Sequence, residues 1–159
     1  MIARICTILM WLTLCASAVP PTWPAASFSE VRAYSYNATG YKAPPIIKDG
    51  KLHATTINTN GTLLATNQVK HLLAAITGEH FEHPVAGCFK PRHAFVFYGS
   101  DKKPVAQVLL CFECMQKRAT PEGTAIFCDW TSLANLCREL KLPNSPTPDF
   151  GKWLNNRSR

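Results

Sequence analysis

The side chains most able to do chemistry lie in two short clusters, Cys88-x4-His93 and Cys111-x2-Cys114. Three chemistries use such a set. Three thiolates and an imidazole make a Cys3His donor group, which suits tetrahedral zinc or another thiophilic ion. The C-x-x-C pair closes a small ring on oxidation and could work as a redox dithiol. The plainest reading is a structural disulfide joining Cys88 to Cys111 or Cys114, which would stabilise the fold by about 2–4 kcal/mol. The flanks argue against redox work: a thioredoxin-type pair opens a helix, whereas Cys111-Phe-Glu-Cys114 follows a strand and encloses the acidic Glu113.

These clusters must be brought together by what lies between them. Ala94-Phe-Val-Phe-Tyr98 and Pro104-Val-Ala-Gln-Val-Leu-Leu-Cys-Phe112 are rich in β-branched and aromatic residues, and Gly99-Ser-Asp-Lys-Lys103 between them reads as a turn. The pattern predicts an antiparallel hairpin with strands at about 94–98 and 104–112. With the turn centred on Asp101, Tyr98 faces Pro104, Phe97 faces Val105, His93 faces Leu109 and Cys88 falls opposite Cys114. In that register His93 shares a strand face with Cys111. The candidate metal ligands Cys88, His93, Cys111 and Cys114 then meet at the open end of one hairpin.

The remaining elements form a modest scaffold. Val31 to Tyr36 alternates like a strand, and Lys51 to Asn58 reads as a second one, ended by the turn Asn60-Gly61. Thr66 opens a helix over about 66–77, with Val69, Leu72, Leu73 and Ile76 at helical spacing and Gly78 beyond it. A closing helix at about 131–140 is capped by Asp129 or Thr131 and stopped by Pro143. His71 lies at the edge of the first helix stripe, and His80-x2-His83 reads as a polar loop rather than a ligand pair. Cys137 falls on the apolar face of the closing helix as a core thiol, and Cys128 could pair with any other cysteine. The expected fold class is α+β, a small antiparallel sheet of about four strands with two or three helices.

The first eighteen residues read as an export signal. Arg4 precedes an apolar run from Ile5 to Cys15, too short to span a bilayer, and Ala16-Ser17-Ala18 fits the small-x-small cleavage rule. Leu12-Thr-Leu-Cys15 resembles a lipobox, although Leu14 stands where a small residue belongs; lipidation at Cys15 is the one route to a membrane. Residues 19–30 are Pro- and Ala-rich and read as a tether, 31–143 as a single domain and 144–159 as a tail. The chain carries 17 Lys and Arg against 10 Asp and Glu, and only Arg4 is lost with the signal, so the mature charge is +6. The cations are scattered rather than set in a stripe, which reads as a solvated surface and not a nucleic-acid site. Of seven cysteines, Cys6 and Cys15 leave with the signal. The five that remain cannot all pair within one chain, so at least one is a free thiol, a metal ligand or an intermolecular bridge.

The stretch Cys88-Phe-Lys-Pro-Arg-His93-Ala-Phe-Val-Phe-Tyr98, followed by Lys103-Pro-Val-Ala106 and Cys111-Phe-Glu-Cys114, resembles a group of small exported bacterial proteins of unknown function. They are similar in carrying a CFxPRH segment, a hairpin, a CFEC segment and a helix ending in Leu-Pro, here Leu142-Pro143. The resemblance covers about residues 88–143 and implies a shared centre. There is no Gly-x-Ser-x-Gly elbow, His-Glu-x-x-His pair, phosphate loop or Gly-x-Gly-x-x-Gly turn. The expectation is therefore a periplasmic or extracellular accessory domain that binds another envelope protein, as immunity and inhibitor proteins do, around a structural or zinc-holding Cys/His centre. The other class is an envelope thiol–disulfide or metal-handling enzyme using Cys111 and Cys114. Export predicts a mature N-terminus at Val19 by intact mass. A diacylated Cys15 would establish the lipoprotein instead, and a chain in the envelope fraction still carrying Met1 would refute cleavage.

Overall fold

The computed structural model describes residues 23–38, 44–77, 80, 88–122 and 128–157. The expected signal segment with Cys6 and Cys15, and the loop residue His83, lie outside these. In chain order the elements are β1 (Glu30–Ser35), β2 (Ile47–Lys48), β3 (Lys51–Leu52), β4 (Thr62–Leu63) and α1 (Thr66–Thr77). They continue as β5 (His93–Tyr98), β6 (Pro104–Cys111), β7 (Gln116–Thr120), α2 (Trp130–Glu139) and α3 (Phe150–Arg157). The fold is α+β. Five strands form one antiparallel sheet in the order β4-β1-β5-β6-β7, and β2 and β3 pair separately.

The near-continuous apolar runs of β5 and β6 place them at the centre of the sheet, buried on both faces. Phe95, Phe97, Val108 and Leu110 point to a core shared with Leu72 and Ile76 of α1, Leu133 and Leu136 of α2, and Phe150 and Leu154 of α3. Ala94, Val96, Leu109 and Cys111 point to the other side, where Tyr34, Tyr36, Ile46, Ile47 and Phe89 cover them. The buried Gln107 fastens this second layer. Its side-chain amide accepts from the Ile47 N–H at 3.2 Å and donates to the Ile47 carbonyl at 3.1 Å, so neither of its polar atoms is left unpaired.

The hairpin forms as expected, with one consequential difference. Tyr98 faces Pro104, but the register shifts between Phe97 and Tyr98, so Phe97 faces Ala106 rather than Val105. A bulge of one residue on β6 carries every later pair along with it, and His93 lies opposite Leu110 instead of Leu109. Because side chains alternate at every residue, this single step moves His93 to the sheet face opposite Cys111.

Other departures have equally local causes. The second expected strand, 51–58, shrinks to the two residues of β3. The polar Gln-Lys-Arg-Ala-Thr of β7 is a strand because it borders β6, with an outer edge that tolerates half-buried polar side chains. The tether is anchored by Trp23, whose ring is buried and meets Phe97 edge-on at 5.3 Å, and whose Nε1–H donates to the Pro121 carbonyl at 3.4 Å. The tail likewise joins the core through Phe150 and Leu154. At the Asn60-Gly61 turn, Gly61 has φ of 63° and a Cβ there would sit 2.6 Å from Tyr34 Cζ, so glycine is required on both counts.

Helix α2 starts where Asp129 caps it. The Asp129 carboxylate accepts from the Ser132 N–H at 2.9 Å and from the Ser132 hydroxyl at 2.7 Å. Asp129→Ala leaves that N–H unpaired and should cost about 1 kcal/mol, or about 3 °C in melting temperature, while Asp129→Asn keeps most of the stability. Thermal denaturation followed by circular dichroism measures both.

Candidate metal centre

Two local features gather the cysteines. Strand β6 ends at Cys111, and the chain turns through 112–115 into β7, with Met115 in the left-handed region at φ of 50°. The turn folds Cys114 back onto Cys111, and their Sγ atoms lie 2.8 Å apart. Cys88 arrives on the segment leading into β5. That segment is held by Arg92, whose N–H donates to the Leu110 carbonyl at 3.1 Å and whose carbonyl accepts from the Tyr36 N–H at 3.0 Å. The Cys114 thiol donates to the carbonyl oxygen of Cys88. All three Sγ atoms fall within 4.8 Å of one another, a group that could hold a metal ion. Among the described residues, no histidine or carboxylate joins them.

The surroundings are apolar and the sulfurs are thiols. Cys111 and Cys114 are buried and Cys88 is half-buried at the rim. Burial, followed by hydrogen bonding with Cys111 and Cys88, pushes the Cys114 thiol far above the usual thiol range. Such a group is a poor nucleophile at neutral pH; it becomes a thiolate only when a cation takes the place of its proton. Positive charge is near. Arg118 lies with its guanidinium carbon 4.7 Å from the centre of the Phe89 ring and acts electrostatically on the phenol of Tyr36. The Tyr36 hydroxyl, in the same cluster as Cys111 and Cys114, is buried with no hydrogen-bond partner among the described residues.

Of the four expected ligands, the structure brings together Cys88, Cys111 and Cys114 and sends His93 elsewhere. His93 is 1 % exposed, its ring meets Phe112 edge-on at 5.5 Å, and its Nε2–H donates to the Pro143 carbonyl at 3.1 Å. The bulge in β6 is the reason: it puts His93 on the helix side of the sheet, apart from the three sulfurs. All five cysteines of the described chain are free thiols, so neither expected pairing of Cys88, with Cys111 or with Cys114, is formed. Cys137 is a core thiol as expected, and Cys128 joins the same core; burial holds both near 12. His80 turns to the end of α1, where its Nε2 meets the Ala74 carbonyl at 2.9 Å.

Sequence reasoning missed Tyr36, Phe89 and Arg118 around the cysteines. Phe89 directly follows Cys88 and Arg118 lies close after Cys114, so both were within reach of the motif, whereas no spacing signals Tyr36. No protein family, curated protein or solved structure matches this chain.

The fate of His93 has a pH consequence. Burial depresses its pKa from 6.5 to about 4, and the bond to the Pro143 carbonyl only partly offsets this. The unfolded chain takes up the proton below about pH 6.5, whereas the native protein resists it until about pH 4. Stability therefore falls as pH drops through that window, by up to about 3 kcal/mol. His93→Gln keeps a donor for the carbonyl but cannot titrate. It should flatten the pH dependence of the melting temperature between pH 6.5 and 4 relative to the wild type.

Proposed function

We propose that this protein is an exported binding domain whose Cys88, Cys111 and Cys114 hold one zinc ion as thiolates. The observation that carries the reading is the convergence of three sulfurs within 4.8 Å, since a structural disulfide needs only two. Zinc with three protein ligands would keep a fourth position for water or an incoming group, and Cys88 is the most exposed of the three that would hold it. The metal would supply fastening: it would join the segment before β5 to the β6–β7 turn and neutralise thiolates that could not otherwise persist in an apolar layer. The scattered surface charge supports a role in binding another envelope protein, of the immunity or inhibitor kind, rather than nucleic acid.

The second reading, a thiol–disulfide enzyme, is favoured by one contact, the 2.8 Å separation of the Cys111 and Cys114 sulfurs. It is disfavoured by the raised Cys114 thiol and by its place in a β-turn, where no helix N-terminus stabilises a thiolate.

Metal analysis of the mature protein should find one zinc per chain. Thiol titration after denaturation and metal removal, without reductant, should count five thiols; three would establish a disulfide instead. Zinc binding should release protons and weaken as pH falls, because each ligand must lose its proton. Cys88→Ser should cost more affinity than the about 10–100-fold typical of outer-shell partners, and chelators should lower the melting temperature. Insulin reduction that is lost in Cys111→Ser would overturn the zinc reading in favour of the enzyme.

A further inference from the structure

The donor set at the β6–β7 turn departs from an ordinary structural zinc site in two respects. It is all sulfur, since among the described residues no histidine or carboxylate joins Cys88, Cys111 and Cys114. It is also a set of three, whereas structural zinc takes four ligands. The three Sγ atoms lie within 4.8 Å of one another, with Cys111 and Cys114 at 2.8 Å, close enough for one atom to bond to all of them. Cys128 and Cys137 belong to the helix-side core and stand apart from this set.

Charge narrows the choice of ion. The sulfurs share an apolar layer with Tyr34, Ile46, Phe89 and Leu109, and net charge buried in such a layer is costly. Three thiolates around a divalent ion leave one negative charge in excess, and around a soft monovalent ion they leave two. Around a trivalent ion they leave none. Thiolates select soft ions, and trivalent arsenic is one. It bonds three sulfurs in a pyramid and its lone pair takes the remaining direction, so it needs neither a fourth donor nor a counter-charge.

We infer that Cys88, Cys111 and Cys114 also capture trivalent arsenic, arriving as arsenous acid, in a neutral three-sulfur centre. The inference rests on the same meeting of three sulfurs as the zinc reading, but not on zinc itself. Capture is an exchange with no redox change. Three S–H and three As–O bonds break, three As–S bonds form, and each hydroxyl leaves as water with a thiol proton. Cys88, half-buried where the other two are buried, is placed to meet the incoming molecule first.

Arsenite and zinc, titrated separately into the reduced, metal-free mature chain, test this. Native mass spectrometry should show one arsenic per chain, and the five free thiols should fall by three, the number of ligands. X-ray absorption at the arsenic edge should find three sulfurs and no oxygen. Cys88→Ser should weaken arsenite binding at least about tenfold, the lower end of what losing even an outer-shell partner costs a metal site. Zinc bound with no arsenic retained would overturn this inference and leave the zinc reading standing. Arsenic held by two sulfurs and an oxygen, with only two thiols consumed, would reduce the centre to the Cys111–Cys114 pair and overturn it as well. Arsenic on three sulfurs with no zinc bound would uphold the inference and overturn the zinc reading.

Discussion

The β5–β6 ladder governs the rest of the molecule, because both of its faces are buried and each of its side chains is committed to one of two cores. In a sheet with one solvated face, a register change of one residue exposes apolar groups and is rejected. Here either face offers an apolar surrounding, so hydrophobicity alone does not specify the register, and the bulge opposite Phe97 and Tyr98 decides it. From that point, Cys111 goes to the layer of Tyr36 and Phe89, while His93 goes to the layer of the helices.

This division separates two chemical environments that share one pair of strands. On one side, the turn at 112–115 delivers two thiols to each other, and the segment before β5 adds the third. The apolar surroundings push the Cys114 thiol up, and a cation that took its proton's place would be held there with water excluded. On the other side, burial keeps the imidazole neutral, and a single backbone carbonyl fixes its orientation. Phe112 links the two: it follows Cys111 in the chain, yet its ring meets His93 edge-on.

The termini do more than their composition indicates. Trp23 fills the core against Phe97, and α3 closes the helix layer with Phe150 and Leu154. The carbonyl of Pro143, a residue that reads as a helix stop, is also what holds His93. The core thus recruits chain from both ends, which is how a small domain raises the fraction of apolar surface that it buries.

The sequence alone determined the α+β class, the boundaries of α1, the hairpin and its turn, and the meeting of Cys88 with Cys111 and Cys114. The helix and the hairpin rest on local chemistry, helical spacing from Val69 to Ile76 and β propensity on either side of Gly99, and the meeting of the cysteines follows from the hairpin that joins their segments. Tertiary structure decided what depends on a neighbour. Gln116–Thr120 is a strand only because β6 offers a free edge, and Tyr36, far in sequence from every cysteine, packs in the same layer as Cys111 and Cys114. His93 was misplaced for the same reason. Its face depends on where one extra residue is accommodated on the partner strand, and the competing registers differ in packing across two buried layers, a quantity that no single segment of sequence contains.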